Sequence, residues 1–196
     1  MNLKKIQSLI DKEFDELYSE NLRKHSSIHW TPIEVVKIAL NWLEITEKSR
    51  VLDIGSGIGK FCTLGALLTK GHFTGVEMRS ELVETANFLI KELDLCNIHY
   101  LHSNITEIDF TEYNAFYYYN PFCEQIAISD AIDDTIAYSQ IQFREYEDYV
   151  IDQLSALPIN TRVVTYCSET FAFPDTYELK NLNSDGTLAL WIKTKD

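Results

Sequence analysis

The sequence predicts an α/β fold, with a mostly parallel sheet, helices on both faces and a closing antiparallel hairpin. Three observations predict it. Short apolar runs bounded by turn residues alternate with segments of helical periodicity, as strand–helix–strand crossovers require. A glycine-rich turn follows the first such run and opens onto a helix. Near the end, two strand-like arms flank Asn183-Ser184-Asp185-Gly186, which suits a hairpin turn.

The elements follow in order. Residues 1–20 read as a charged amphipathic helix, with Leu3, Ile6, Leu9, Ile10, Phe14 and Leu17 at helical spacing. His29-Trp30-Thr31-Pro32 is a break. Pro32 suits the first turn of a second helix, N-capped by Thr31 and running to about Leu43. Residues 50–54 form a buried strand that ends in glycines. Residues 60–68 read as a helix with Gly71 as its terminator, and 72–76 as the second strand. Ser80 suits the cap of a helix whose face repeats Leu82, Ala86, Leu89 and Leu93. Residues 98–101 and 115–119 are the third and fourth strands, the latter stopped by Asn120-Pro121. A helix over 145–157 and a strand over 162–167 follow, then hairpin arms over 177–182 and 188–194. No internal repeat or linker interrupts the chain. The expected organisation is a helical cap over residues 1–45 packed on the same domain as residues 46–196.

Composition bounds the function. The 196 residues suit one domain, and 45% apolar with 24% charged is an ordinary globular balance. Lys and Arg number 17 against 30 Asp and Glu, a net charge of -13. Residues 1–50 carry 8 basic and 8 acidic side chains, whereas residues 101–160 carry 11 acidic ones and a single basic one, Arg144. Coating nucleic acid or an anionic membrane takes clustered Lys and Arg, so nucleic acid is an unlikely partner on this count and no membrane is expected. The start lacks the apolar core of a signal peptide, and no apolar run approaches the roughly 20 residues of a membrane helix. Cys62, Cys96, Cys123 and Cys167 are scattered without a C-x-x-C pair, which argues against zinc and disulfides and for a reduced, cytoplasmic protein. No metal site is expected.

The most informative stretch runs from Val51 to Lys60 and contains Asp53, Gly55, Ser56, Gly57 and Gly59. Glycines let a chain turn sharply and let a ligand approach bare backbone. The spacing is G-x-G-x-G, with an acid two residues before the first glycine. A second acid, Glu77, ends the second strand, where it can hold the hydroxyls of a ribose.

On these residues the chain resembles the class I S-adenosylmethionine-dependent methyltransferases over roughly residues 30–196. The resemblance implies a Rossmann-like seven-stranded sheet, S-adenosyl-L-methionine as cofactor, and a methyltransferase domain over 46–196. It places Asp53, Gly55, Ser56, Gly57 and Gly59 against the methionine part, Glu77 on the ribose and Met78 over the adenine. Asn104 stands where the family often has Asp against the adenine amine, followed by Ile105. Asn retains a carbonyl oxygen for that contact. Trp30 and Thr31 lie where many such enzymes fold a segment over the cofactor, or else form a helix start with a packing Trp. The loop alone leaves a structural turn or a nicotinamide site open, though the glycine spacing disfavours the latter.

Asn120-Pro121-Phe122 ends the fourth strand. Relatives that methylate nitrogen in adenine or glutamine amides carry Asp/Asn-Pro-Pro-aromatic there, and this chain departs from the pattern by one proline. The Asn oxygen and the carbonyl beyond it can accept N–H hydrogens and so aim a nitrogen lone pair, while an aromatic can stack on a planar acceptor. Asn120, Pro121 and Phe122 are therefore the catalytic candidates, with Asn120 also at the cofactor. The bland alternative is a proline that ends a strand. Glu124 could attract a cationic acceptor or simply be a solvated acid at a helix start. Tyr117, Tyr118 and Tyr119 suit sheet packing better than an aromatic cage. His102 lies near the adenine-side loop without a catalytic role.

The loop, Glu77 and Trp30-Thr31-Pro32 are also loosely similar to the histone lysine methyltransferases that share this sheet. The expected activity is in-line methyl transfer to a nitrogen of a protein or small amine, without a metal or a covalent intermediate. The dense acidic stretch agrees, since it would favour a neutral or cationic substrate. The alternatives are a non-catalytic cofactor-binding partner subunit and an N-methyltransferase of a nucleobase or amide. The oligomeric state stays open.

Overall fold

The computed structural model describes residues 8–127, 132–168 and 171–196. Seven strands form one sheet: β1 (Arg50–Ile54), β2 (His72–Glu77), β3 (Ile98–His102), β4 (Ala115–Tyr118), β5 (Arg162–Tyr166), β6 (Tyr177–Leu182) and β7 (Leu188–Lys193). Their order across the sheet is β3-β2-β1-β4-β5-β7-β6. The first five run parallel, and β7 pairs antiparallel with both β5 and β6. Asp53 of β1 lies opposite Gly75 of β2 and Tyr117 of β4. The chain order reverses between β1 and β4, so a crevice opens at their carboxyl ends, where open α/β sheets take ligands.

Alternation along the strands splits the core into two layers. Val51, Ala115 and Tyr117 face one side, with Phe61, Phe73, Leu82, Ala86 and Leu89. Leu52, Ile54, Phe116 and Tyr118 face the other, with Tyr146, Val150 and Leu154. The helices follow this division. α4 (Ile33–Trp42), α5 (Lys60–Leu68) and α6 (Ser80–Glu92) cover the first face, and α7 (Gln140–Ala156) covers the second.

Several expectations are corrected. The single N-terminal helix is replaced, over the described residues, by three short pieces, α1 (Asp11–Asp15), α2 (Glu20–Arg23) and α3 (Ser26–His29); Leu3 and Ile6 lie outside the described residues. Tertiary bonds outweigh helical continuity here: Asp11 accepts from the backbone N–H of Ile33 at 3.0 Å and from Lys60 at 2.6 Å. Thr31 does not cap α4. Pro32 holds the cap position, and the Thr31 hydroxyl instead pairs with that of Tyr117 at 2.9 Å. Arg79 rather than Ser80 precedes α6, and Thr69 rather than Gly71 ends α5. α7 begins five residues earlier than expected because Ser139 accepts from the backbone of Gln142 and caps it.

Candidate functional site

The loop after β1 owes its shape to three left-handed glycines, Gly55 (φ +73°), Gly57 (φ +54°) and Gly59 (φ +80°). A methyl group on Gly55 would stand 2.4 Å from Cβ of Pro121, and one on Gly59 would stand 2.3 Å from the Tyr100 ring. Those two glycines are therefore required by packing as well as by φ. Gly57 differs, because a methyl group there meets no described atom within 4 Å. Its bare backbone faces open space, a cradle that a Cβ would fill. The loop is anchored by the N–H of Ser56, which donates to the Val76 carbonyl at 2.8 Å, and by the Tyr100 hydroxyl, which donates to the Gly59 carbonyl at 2.7 Å. The Ser56 hydroxyl is buried and has no hydrogen-bond partner among the described residues.

Two carboxyl groups flank the loop. Asp53 is buried, and only the Cys62 thiol donates to it among the described residues, at 3.5 Å. Burial, with a smaller contribution from the charge of Glu77, pushes its pKa up to about 7. Glu77 accepts the N–H of Gly57 on Oε2 at 3.1 Å and the N–H of Arg79 on Oε1 at 2.8 Å. Burial raises its pKa, and the hydrogen bond from the Arg79 backbone opposes that rise.

Three adjoining recesses meet at Gly55. One is lined by Val76, Glu77, Met78, Asn104, Ile105, Phe122 and Tyr146. A second holds Trp30, Thr31, Asp53, Ser56, Lys60 and Tyr117. The third is bounded by His29, Gly57, Tyr119, Asn120, Pro121 and Cys123. The residues expected on the cofactor are thus brought together around one loop.

Three of the expected site residues sit differently from their assigned roles. Phe122 is buried against Tyr118 and Tyr146 and lines the first recess, not the one that holds Asn120. Asn104 uses its side-chain oxygen to accept from both the N–H and the hydroxyl of Thr106, each at 3.1 Å, while its amide NH2 donates to the Tyr146 hydroxyl at 2.9 Å. Both lone pairs of that oxygen are engaged, so it is not available to an adenine amine. Glu124 is neither a solvated acid nor open to a cation, because it is buried and paired with Arg79 at 2.6 Å.

Two charged residues were missed. Lys60 is 4% exposed and holds Asp11 and Asp15 at 2.6 and 2.7 Å. Arg79 is buried among three carboxylates. Each stands in the sequence directly beside a motif residue, Lys60 after the third glycine and Arg79 two after Glu77; position was the one available signal. Asn120 closes β4 in the left-handed region (φ +38°), a conformation Asn tolerates better than most residues. Its N–H donates to the Ser168 hydroxyl at 3.0 Å. Among the described residues nothing hydrogen-bonds its side-chain amide.

Residues 45–139 match the family model described as "Methyltransferase domain". Those residues form a methyltransferase domain. The fold of the chain is similar to that of an RNA methyltransferase from Salinibacter ruber in complex with S-adenosyl-L-homocysteine, with a TM-score of 0.61 and 20% identity over 85% of this chain and 94% of that one. TrmN from Thermus thermophilus gives the same TM-score of 0.61 at 15% identity, over 86% of this chain and 50% of that one. In sequence, 74 residues are 35% identical to 23S rRNA (uracil(1939)-C(5))-methyltransferase RlmD of Klebsiella pneumoniae, covering 38% of this chain and 17% of that protein. A tRNA (guanine-N(7)-)-methyltransferase of Synechococcus is 47% identical over 55 residues, 28% of this chain and 23% of that protein. The matched stretches thus span under a quarter of the length of these curated relatives.

The cofactor of this domain is S-adenosyl-L-methionine, and the donor set fits it. The chain offers a buried carboxyl at the end of β1, a second at the end of β2, the unpartnered Ser56 hydroxyl and the open backbone of Gly57.

The methyltransferase domain also corrects the partner expectation. Nucleic acid was held unlikely and a neutral or cationic protein or amine favoured, yet these relatives are rRNA and tRNA methyltransferases. The structure supplies the physical reason. Of the described acids in the acidic stretch only Glu124 lines the recess that holds Asn120, and it is paired with Arg79, as is Asp133, while Glu145, Asp148 and Asp152 lie exposed on α7. The net charge of a segment is not the field at a site. Among the described residues no helix is long and apolar enough to cross a membrane.

Proposed function

We propose that this chain transfers the methyl group of S-adenosyl-L-methionine to a nitrogen of a nucleobase in RNA. The observation that carries this reading is Asn120, held in a left-handed turn at the end of β4 beside Pro121, which itself packs on Gly55 of the cofactor loop. Among the described residues neither the Asn120 side-chain oxygen nor the Pro121 carbonyl accepts a hydrogen bond. Two acceptors on adjacent residues, each without a partner among the described residues, suit an amine with two N–H groups. They would take both hydrogens and aim the lone pair toward the cofactor recess. The RNA assignment follows the substrates of the matched rRNA and tRNA enzymes.

Placement supports the other roles. Asp53, when ionised, holds the methionine ammonium, with Trp30, Thr31 and Ser56 walling that recess. Glu77 accepts the ribose hydroxyls. Each of its oxygens already takes one backbone N–H and keeps a lone pair. Met78, Ile105 and Phe122 supply the apolar walls for adenine. The segment 8–45 acts as a cap that excludes water from the methionine end. When bound, the cofactor supplies a methyl group already activated by its sulfonium, so the protein contributes alignment rather than a nucleophile of its own.

The test is transfer of labelled methyl from S-adenosyl-L-methionine into extracts separated into RNA, protein and small molecules, followed by nucleoside analysis. Label on a base nitrogen of RNA, lost in Asn120→Ala while S-adenosyl-L-homocysteine still binds, supports the reading. Label in protein alone, or an Asn120→Ala variant with unchanged turnover, sinks it.

A further inference from the structure

Arg79 joins the two halves of the site. It follows β2 and is buried, with its guanidinium facing three carboxylates from three separate segments. Nη2 lies 2.6 Å from Oε2 of Glu124, in the turn just after Asn120-Pro121-Phe122. Nε lies 3.1 and 3.2 Å from the two oxygens of Asp133. Nη1 lies 3.6 Å from Oε1 of Glu77, beyond hydrogen-bond length. Glu124 in turn accepts the N–H of Ile132 at 2.9 Å, so the same carboxylate also holds the backbone next to Asp133.

The distances carry the argument. Charge-assisted bonds of about 2.7–2.9 Å are the strong ones, and the short one here runs to Glu124. A guanidinium released from Glu124 and Asp133 has one carboxylate left within reach, that of Glu77. It would then occupy the lone pairs that Glu77 needs for a ribose.

We propose that Arg79 is a positioning residue that couples the acceptor segment to cofactor binding: Glu124 and Asp133 hold its guanidinium off Glu77. The proposal rests on the reading of Glu77 as the ribose acid. Because coupling is reciprocal, a bound cofactor that engages Glu77 favours the pairing of Arg79 with Glu124 and Asp133 by the same factor.

Calorimetric titration with S-adenosyl-L-homocysteine tests this on four proteins. Wild type binds. Glu124→Gln, which keeps shape but loses charge, should bind about tenfold more weakly, although Glu124 is not a ribose ligand. Asp133→Asn, at a residue 38% exposed, should bind two- to threefold more weakly and keep the wild-type circular dichroism spectrum. The double variant Arg79→Met/Glu124→Gln should recover affinity to within threefold of wild type, since no guanidinium remains to capture Glu77. A merely structural role predicts the opposite order, with the double variant weakest. Unchanged affinity in both single variants, or a double variant no better than Glu124→Gln, overturns the coupling. Absence of binding to wild type would instead remove the cofactor reading itself, and the coupling with it.

Discussion

Replacing Asp53 with Asn should stabilise the free protein at pH 8 relative to pH 5 while removing cofactor binding. The buried carboxyl has its pKa raised from 3.8 to about 7, chiefly by desolvation. A raised carboxylate pKa means that folding favours the protonated form. The group therefore costs little below about pH 4, costs progressively more as pH rises, and reaches its full penalty above about pH 7. At 1.36 kcal/mol per pKa unit the full penalty is about 4 kcal/mol, of which about 2.5 accrues between pH 5 and pH 8. Asn does not titrate, so any constant cost of the exchange cancels when the two pH values are compared. For a domain of this size the gap between variant and wild-type melting temperatures should grow by about 5–10 °C over that interval. Thermal melts by circular dichroism at pH 5, 6, 7 and 8 read it directly. Binding should show the mirror image. Wild-type affinity for S-adenosyl-L-homocysteine should rise with pH up to about 7, by at most tenfold per unit, and then level off, because the ligand ammonium selects the ionised carboxylate. Parallel melting curves for wild type and variant across this range would refute the reasoning about Asp53.

Other residues give separate checks. Gly57→Ala places a methyl group in open space at φ +54°, so it should cost only about 1–2 kcal/mol in stability yet abolish calorimetric cofactor binding, since the cradle is filled; retained affinity would show that the ligand does not approach there. Lys60→Met removes a buried cation from Asp11 and Asp15, and should lower stability by about 3 kcal/mol and expose residues 8–31 to limited proteolysis. An unchanged melting temperature and digestion pattern would contradict the clamp. Among the described residues lining the Asn120 recess, Arg79 is already paired with Glu124 and Asp133 and no lysine is present, so phosphate neutralisation there should contribute little to RNA affinity. Raising salt from 50 to 200 mM should therefore change the KM for RNA far less than the roughly 10³–10⁵-fold of a protein with six to ten phosphate contacts. A steep loss would reveal a basic surface that the composition does not suggest.

Much of the site was legible because its signals are local. A left-handed turn that contacts Pro121 and Tyr100 demands glycine at Gly55 and Gly59, and that demand shows in the sequence as spacing. Strand ends show as apolar runs stopped by turn residues, which is how Asp53, Glu77 and Asn120 were found. Side-chain partners were not legible. Asn104 looked like an adenine ligand until its oxygen proved to cap the turn at Thr106, and Phe122 shared a motif with Asn120 yet faces another recess. Glu124 looked solvated until the fold brought Arg79 to it across 45 positions.

The charge shows the division most clearly. Composition and spacing determined the α/β class, the glycine loop and the paired acids, because each depends on backbone geometry that neighbouring residues impose. Only the tertiary structure decided where the negative charge acts. A count of acids in a stretch treats them as equivalent, whereas burial and pairing separate them. Asp53 is raised by desolvation, Glu124 and Asp133 are held by one guanidinium, and the acids of α7 lie in solvent. Electrostatic energy depends on distance and on the surrounding dielectric, and neither quantity exists until the chain has folded.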